Sequence, residues 1–221
     1  AEYAMTAAVW VRGFLQDDYG VRVQDVQWSV GGQEEPGRKE RMDLHLPPEI
    51  SVSSIAPDKT LNGMLENEEI DGLIAARVPS CFVQGSPKVR RLFPDYKAVE
   101  VDYYKRTKIF PIMHLLVVHK RIYDRNPWVA RSLYKAFCQA KERAIQTINI
   151  PNPLPYTLPW LSAEREQLEA IFGTDWWPYG IGSNRHTLET LIQYMYEQGL
   201  TEKSIEIDEL FAPNVIGEFK L

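Results

Sequence analysis

Short apolar runs alternate with helix-patterned stretches along this chain, and that alternation restricts the fold more than any other feature. Val23 to Val30, Ile50 to Ile55, Ile70 to Ala76 and His114 to His119 (HLLVVH) read as strands, and residues 98 to 104 as a further extended segment. Helical spacing fills the intervals. Residues 4 to 19 put Ala4, Ala8, Val11 and Leu15 on one stripe, with Trp10 and Phe14 beside it, and Gly20 ends the pattern. Thr60 can cap a short helix through Leu61, Met64 and Leu65. Asn126-Pro127 opens a long helix with Val129, Leu133, Phe137, Ala140 and Ala144 on one face. Ser162 opens another that stops at Gly173, and a last one runs from about His186 to Gly199, with Leu188, Leu191, Ile192 and Met195 inward. The charged stretch 33 to 43 reads as an exposed loop. The four prolines between 150 and 161 require an extended connection. Strand, helix and strand in this order predict an α/β fold with a parallel or mixed sheet.

At 221 residues, one ordinary domain or two small lobes both fit. Apolar residues at 44% and charged residues at 25% exclude a disordered tail, a collagen-like rod and a disulfide scaffold. A net charge of −5 and a pI near 5.5 argue against nucleic acid or anionic lipid as a partner. No apolar stretch approaches the roughly 20 residues of a membrane span, and no signal peptide is visible. Cys81 and Cys138 form no C-x-x-C; they fit a reduced compartment, with a single bridge left open. A cytoplasmic protein is expected. The chain opens on Ala1-Glu2-Tyr3 rather than Met and reads as one cut at its start.

The glycine-rich dinucleotide and phosphate loops, G-x-S-x-G and H-E-x-x-H are all absent from the sequence. Other residues carry what chemistry there is. His114 and His119 bracket one apolar run. Five residues apart on a strand, they would face opposite sides, roughly 16 Å apart, and could not share a metal. His114 lies at the entry of that run and reads either as a hydrogen-bonded edge histidine or as an acid/base group. Arg77 follows the run Ile70 to Ala76, at the carboxyl end where α/β sheets hold ligands; it can fork onto a carboxylate or form a surface ion pair. Arg12, in the first helix, is a solvated or snorkelling side chain or a ligand contact. The start of that helix, with the Thr6 hydroxyl, suits an anion. Tyr103 to Thr107 mixes rings with cations, as an acid-binding segment or an amphipathic edge. Trp176, Trp177 and Tyr179 sit in a Pro/Gly-constrained loop before Asn184-Arg185-His186, where they plug a core or wall a pocket.

Met5 to Gly13 (MTAAVWVRG), Arg91-Leu92-Phe93-Pro94, Phe110 to His114 (FPIMH) and Trp177 to Gly180 (WPYG) with Asn184-Arg185 together resemble the 4,5-dihydroxyphthalate decarboxylase family, in the same order over essentially the whole chain. The resemblance implies a two-lobed fold like the type II periplasmic binding proteins, with mixed sheets flanked by helices and a ligand cleft between the lobes. It implies that part of the first lobe is missing: residues 1–107 would form the second lobe, and 108–221 would return to the first lobe and add helices. Alone, such a chain could be inactive, and exposed aromatic surface would favour a homo-oligomer.

The implied reaction converts 4,5-dihydroxyphthalate to protocatechuate without oxidation. The ring is its own electron sink, so no cofactor is required. A divalent metal is compatible with catechol oxygens and carboxylates, although no ligand cluster demands one. On this resemblance His114 is the acid/base group. Arg77, Arg12, Arg106 and Arg185 pair with carboxylates, Trp177 and Tyr179 wall the ring, and Thr6 and Thr107 bond substrate oxygens. The rival reading is a non-catalytic solute-binding protein for a small, aromatic carboxylate on the same fold.

Overall fold

Helix α1 spans Thr6–Tyr19, and Gly20 terminates it. At φ 70° Gly20 turns its N–H back to Gln16 O, and Val21 bonds Leu15 O, a pattern glycine adopts without steric strain. The computed structural model describes residues 2–149 and 156–217. The expected connection at 150–161 lies outside the described residues as far as 155. The chain divides into two compact units, Ala1–Val99 with Thr190–Ser204, and Glu100–Glu189 with Ile205–Leu221.

In the first unit, a single 3-10 turn, Val23–Asp25, takes the start of the expected strand, and only Trp28–Val30 (β1) is extended. It pairs in parallel with β2, Val52–Ser54, in the register Trp28↔Val52, Ser29↔Ser53, Val30↔Ser54. Gly31 and Gly32 break β1 as expected. The chain then reaches α2, Leu61–Glu66, where Leu61 N–H bonds Gly32 O and Thr60 Oγ1 accepts from Gly63 N–H. One apolar core joins Tyr3, Val23, Val30 and Ile50, with Trp28, Leu44, Leu46, Val52 and Leu200 packed on it. A second forms where Trp10, fully buried, meets Phe14 and Tyr194 at ring separations of 5.7 Å each. The single turn α3, Ser80–Val83, completes the unit's own helices.

Helix α4, Tyr96–Thr107, replaces the extended segment expected at 98 to 104. In the second unit it is followed by α5 (Lys120–Arg125), α6 (Trp128–Ile148), α7 (Leu161–Phe172), α8 (Ile181–Glu197), α9 (Ile207–Leu210) and the 3-10 turn Pro213–Val215. Helix α7 stops at Gly173, φ 86°, where the pattern placed its end. Helix α8 starts five residues before His186, and Leu188 is buried on it. The covered face of α6 runs through Tyr134, Cys138, Lys141 and Ile145 rather than the expected Phe137, Ala140 and Ala144, which are exposed. Asn126 does not cap α6 through its side chain, which reaches back to Ile122 O.

Two expected strands are absent. Ile70 to Ala76 and His114 to His119 have no ladder partner among the described residues, and a run without a partner cannot satisfy its backbone groups as a strand. The result is a helix-rich α/β protein with a small two-stranded parallel sheet. No described helix is long and apolar enough to cross a membrane. Cys81 and Cys138 are free and buried.

Candidate functional site

Several of the residues singled out in the sequence lie in the second unit, around the loop 175–180. Helix α4 ends at Thr107, whose hydroxyl donates to Tyr103 O at 2.8 Å and accepts from Ile109 N–H at 3.1 Å. The Thr107 side chain therefore finishes its own helix. Lys108 takes a positive φ of 60°, a conformation a non-glycine residue adopts at some cost. This turn sends Ile109 inward, 5% exposed, and brings Phe110 against Phe172 and Trp177, at 5.4 and 5.6 Å between centroids. Phe172 in turn meets Tyr104 at 4.3 Å. Each such contact adds about 0.5–1.5 kcal/mol beyond area burial.

Polar clamps set the loop itself. Lys141 Nζ, from the covered face of α6, donates to both Asp175 carboxylate oxygens at 2.8 and 3.0 Å and to Trp177 O at 3.2 Å. The same ammonium sits 5.2 Å from the centre of the Tyr179 ring. Asn184 Nδ2 donates to Pro178 O and Gly180 O, at 2.9 and 2.8 Å. Gly180 has φ 94°, and a Cβ there would lie 2.7 Å from Tyr134 Oη, so glycine is required twice over. Burial first, and then the neighbouring Cys138, push the Tyr134 phenol above its usual range. Trp177, with its indole 53% exposed, lines the surface of this loop rather than plugging a core.

The remaining selected residues of this unit lie apart from that loop's bonds. His114 is exposed, in the irregular segment that follows Phe110. Arg106 pairs with Asp102 at 2.9 Å, one turn back on α4. Arg185, in the first turns of α8, lies 3.3 Å from Asp208 and 3.5 Å from Glu189. All three side chains face water.

In the first unit, Arg12 is buried rather than solvated, 4% exposed. Its Nε donates to Gln198 Oε1 and its Nη2 to Tyr3 O, both at 2.7 Å, and its guanidinium lies 4.0 Å from the Tyr3 ring centre. Burial lowers its pKa to about 10, against the pull of Tyr3 and Glu40. Thr6 is half-buried at the start of α1. Arg77 does not end a strand; it is exposed, and its carbonyl accepts from Gln33 Nε2 at 3.1 Å.

No family model matches the chain. Over 220 residues it is 37% identical to a 4,5-dihydroxyphthalate decarboxylase of Comamonas testosteroni, a match that takes in 100% of this chain and 67% of that protein. The chain belongs to the 4,5-dihydroxyphthalate decarboxylase family. A second member, from Pseudomonas putida, is 46% identical over 104 residues, 47% of this chain and 40% of that protein. Lys141, Tyr134 and Phe172 were not singled out by motif. The available signal was a lysine at position 141 in register with Tyr134, Cys138 and Ile145, on a helix face that packing covers.

Proposed function

We propose that this chain catalyses the non-oxidative decarboxylation of 4,5-dihydroxyphthalate to protocatechuate, in the cytoplasm, on a two-lobed fold of the type II periplasmic-binding-protein kind. The 37% identity over 100% of this chain with a protein of that name supports the reading. In the substrate each carboxylate is para to a hydroxyl. A base takes the phenolic proton, and electron density reaches the para carbon that bears the carboxylate. An acid protonates that carbon. The bond to the carboxyl carbon then breaks, its electron pair returns to the ring, CO2 leaves, and the phenolate oxygen takes up a proton. One proton is consumed overall, and the ring alone stores the electron pair, so the step as written calls for no cofactor.

His114 is assigned both proton transfers, because an imidazole exchanges protons near neutrality. Arg106 and Arg185 are assigned to carboxylate binding, each exchanging a solvated side-chain carboxylate for that of the substrate. Trp177 and Tyr179 are assigned to the ring. Arg77 and Thr6 are further contacts to substrate oxygens. Arg12 and Thr107, whose polar groups already bond within their own units, serve as supports.

The test is CO2 release from 4,5-dihydroxyphthalate, with protocatechuate formed in equal amount. His114→Ala is expected to lose at least about 100-fold in kcat with an unchanged melting temperature. Arg77→Lys is expected to raise KM, since a fork becomes a point charge. Substrate that raises the melting temperature without any release of CO2 would instead identify a solute-binding protein.

A further inference from the structure

A cavity of about 310 Å³ opens beside the start of α6, lined by Trp128, Arg131, Ser132, Lys135 and Asn214. The four helix positions are spaced i, i+3, i+4 and i+7, so they form one stripe. The turn Pro213–Val215 closes the far side, and its Asn214 is held in place. Nδ2 donates to Pro127 O at 2.7 Å, and Oδ1 accepts from the Tyr123 hydroxyl at 3.4 Å.

The lining has a specific chemistry. Trp128 leaves 65% of its surface in water, a flat apolar face with no ring stacked on it among the contacts described. One and two turns further on, Arg131 and Lys135 bring two cations to the same stripe. Lys135 is partly buried and makes no ion pair among the described residues. No acidic side chain occupies the first turn of α6. An indole face beside two cations complements a flat ring carrying an anionic group, through stacking at one end and charge-assisted hydrogen bonds at the other. The volume lies at the small end of ligand sites, roughly 300–1,000 Å³, which suits a single ring rather than a nucleotide.

We propose that this cavity binds a planar aromatic carboxylate, at a site separate from the loop 175–180. Lys141, which clamps that loop, lies six residues beyond Lys135 on α6, about 9 Å along the helix axis. The inference does not rest on the decarboxylase reading.

The experiment is calorimetric titration of the full chain with benzoate and phthalate, set against cyclohexanecarboxylate and inorganic phosphate. Benzoate and phthalate are expected to bind more tightly than either comparison. Trp128→Ala and Lys135→Gln are each expected to weaken phthalate binding by about tenfold. Trp128 is exposed and Lys135 half-buried, and an unchanged melting temperature confirms the fold. His114→Ala is expected to leave this binding intact, so loss of turnover there and loss of binding here are separable results. Equal phthalate affinity in Trp128→Ala and the parent chain would overturn the proposal. So would phosphate binding as tightly as phthalate, or no heat of binding for either aromatic acid.

Discussion

A guanidinium that is only 4% exposed must replace its water with fixed acceptors. Arg12 finds them in Gln198 Oε1 and Tyr3 O, and Gln198 Nε2 continues the chain of bonds to Val9 O. With a folded pKa of about 10, Arg12 remains a cation at neutral pH. Because that value lies below the ordinary arginine range, burying the charge opposes folding below pH 10, and this opposition fades as pH rises above 10. Arg12→Met strands Gln198 Oε1 in the interior and is expected to destabilise by about 3 kcal/mol, read as a lower urea midpoint. Adding Gln198→Leu should recover part of that loss; a double variant that loses the sum of the two single losses would show that the two residues act independently. Beside Arg12, a methyl at Gly13 would overlap the Tyr194 ring. Gly13→Ala is accordingly expected to lower stability by about 2 kcal/mol in the same denaturation experiment. Helical periodicity placed Arg12 correctly on α1 and still missed its burial. The buried set is Ala8, Val9, Trp10, Arg12 and Gly13. Their partners come from Tyr194 and Gln198, more than 180 positions along the chain, and no local pattern contains them.

At the scale of elements, the ends of helices were legible, whereas of the expected strands only Val23 to Val30 and Ile50 to Ile55 contain one, each shorter than its run. Gly20, Thr60 and Gly173 act where they stand, because a left-handed turn or a hydroxyl cap is a local event. A strand needs a partner for its backbone, which an apolar run cannot reveal. Ile70 to Ala76 and His114 to His119 carry strand composition and stay irregular, while residues 98 to 104, read as extended, fall in helix α4, which has no fully buried residue. The loop 175–180 was legible as constrained, through its proline and glycine, although its main clamp was not. Lys141 is 15% exposed and holds two carboxylate oxygens and one carbonyl. Lys141→Met is expected to destabilise by about 2 kcal/mol. It should also lower hydrogen-exchange protection in residues 175 to 184 ahead of the rest of α8. Uniform loss across the unit would instead make Lys141 a general packing residue.

For the whole molecule, the segment after Phe110 has the largest consequence. Met113, Leu115, Leu116 and Val117 are 42%, 54%, 61% and 85% exposed, four apolar side chains within five residues, of the kind that promotes association. Sedimentation is expected to show weight-average mass rising with concentration, and Leu116→Lys with Val117→Lys should suppress that rise. A mass independent of concentration in the parent chain would rule this segment out as an adhesive surface. The same stretch, residues 109 to 119, has neither helix, strand nor turn along its length. An accessible, drawn-out backbone is the shape that endoproteases accept. Chymotrypsin should therefore cut first between Met113 and Val117, within the second unit, leaving two fragments of nearly equal size.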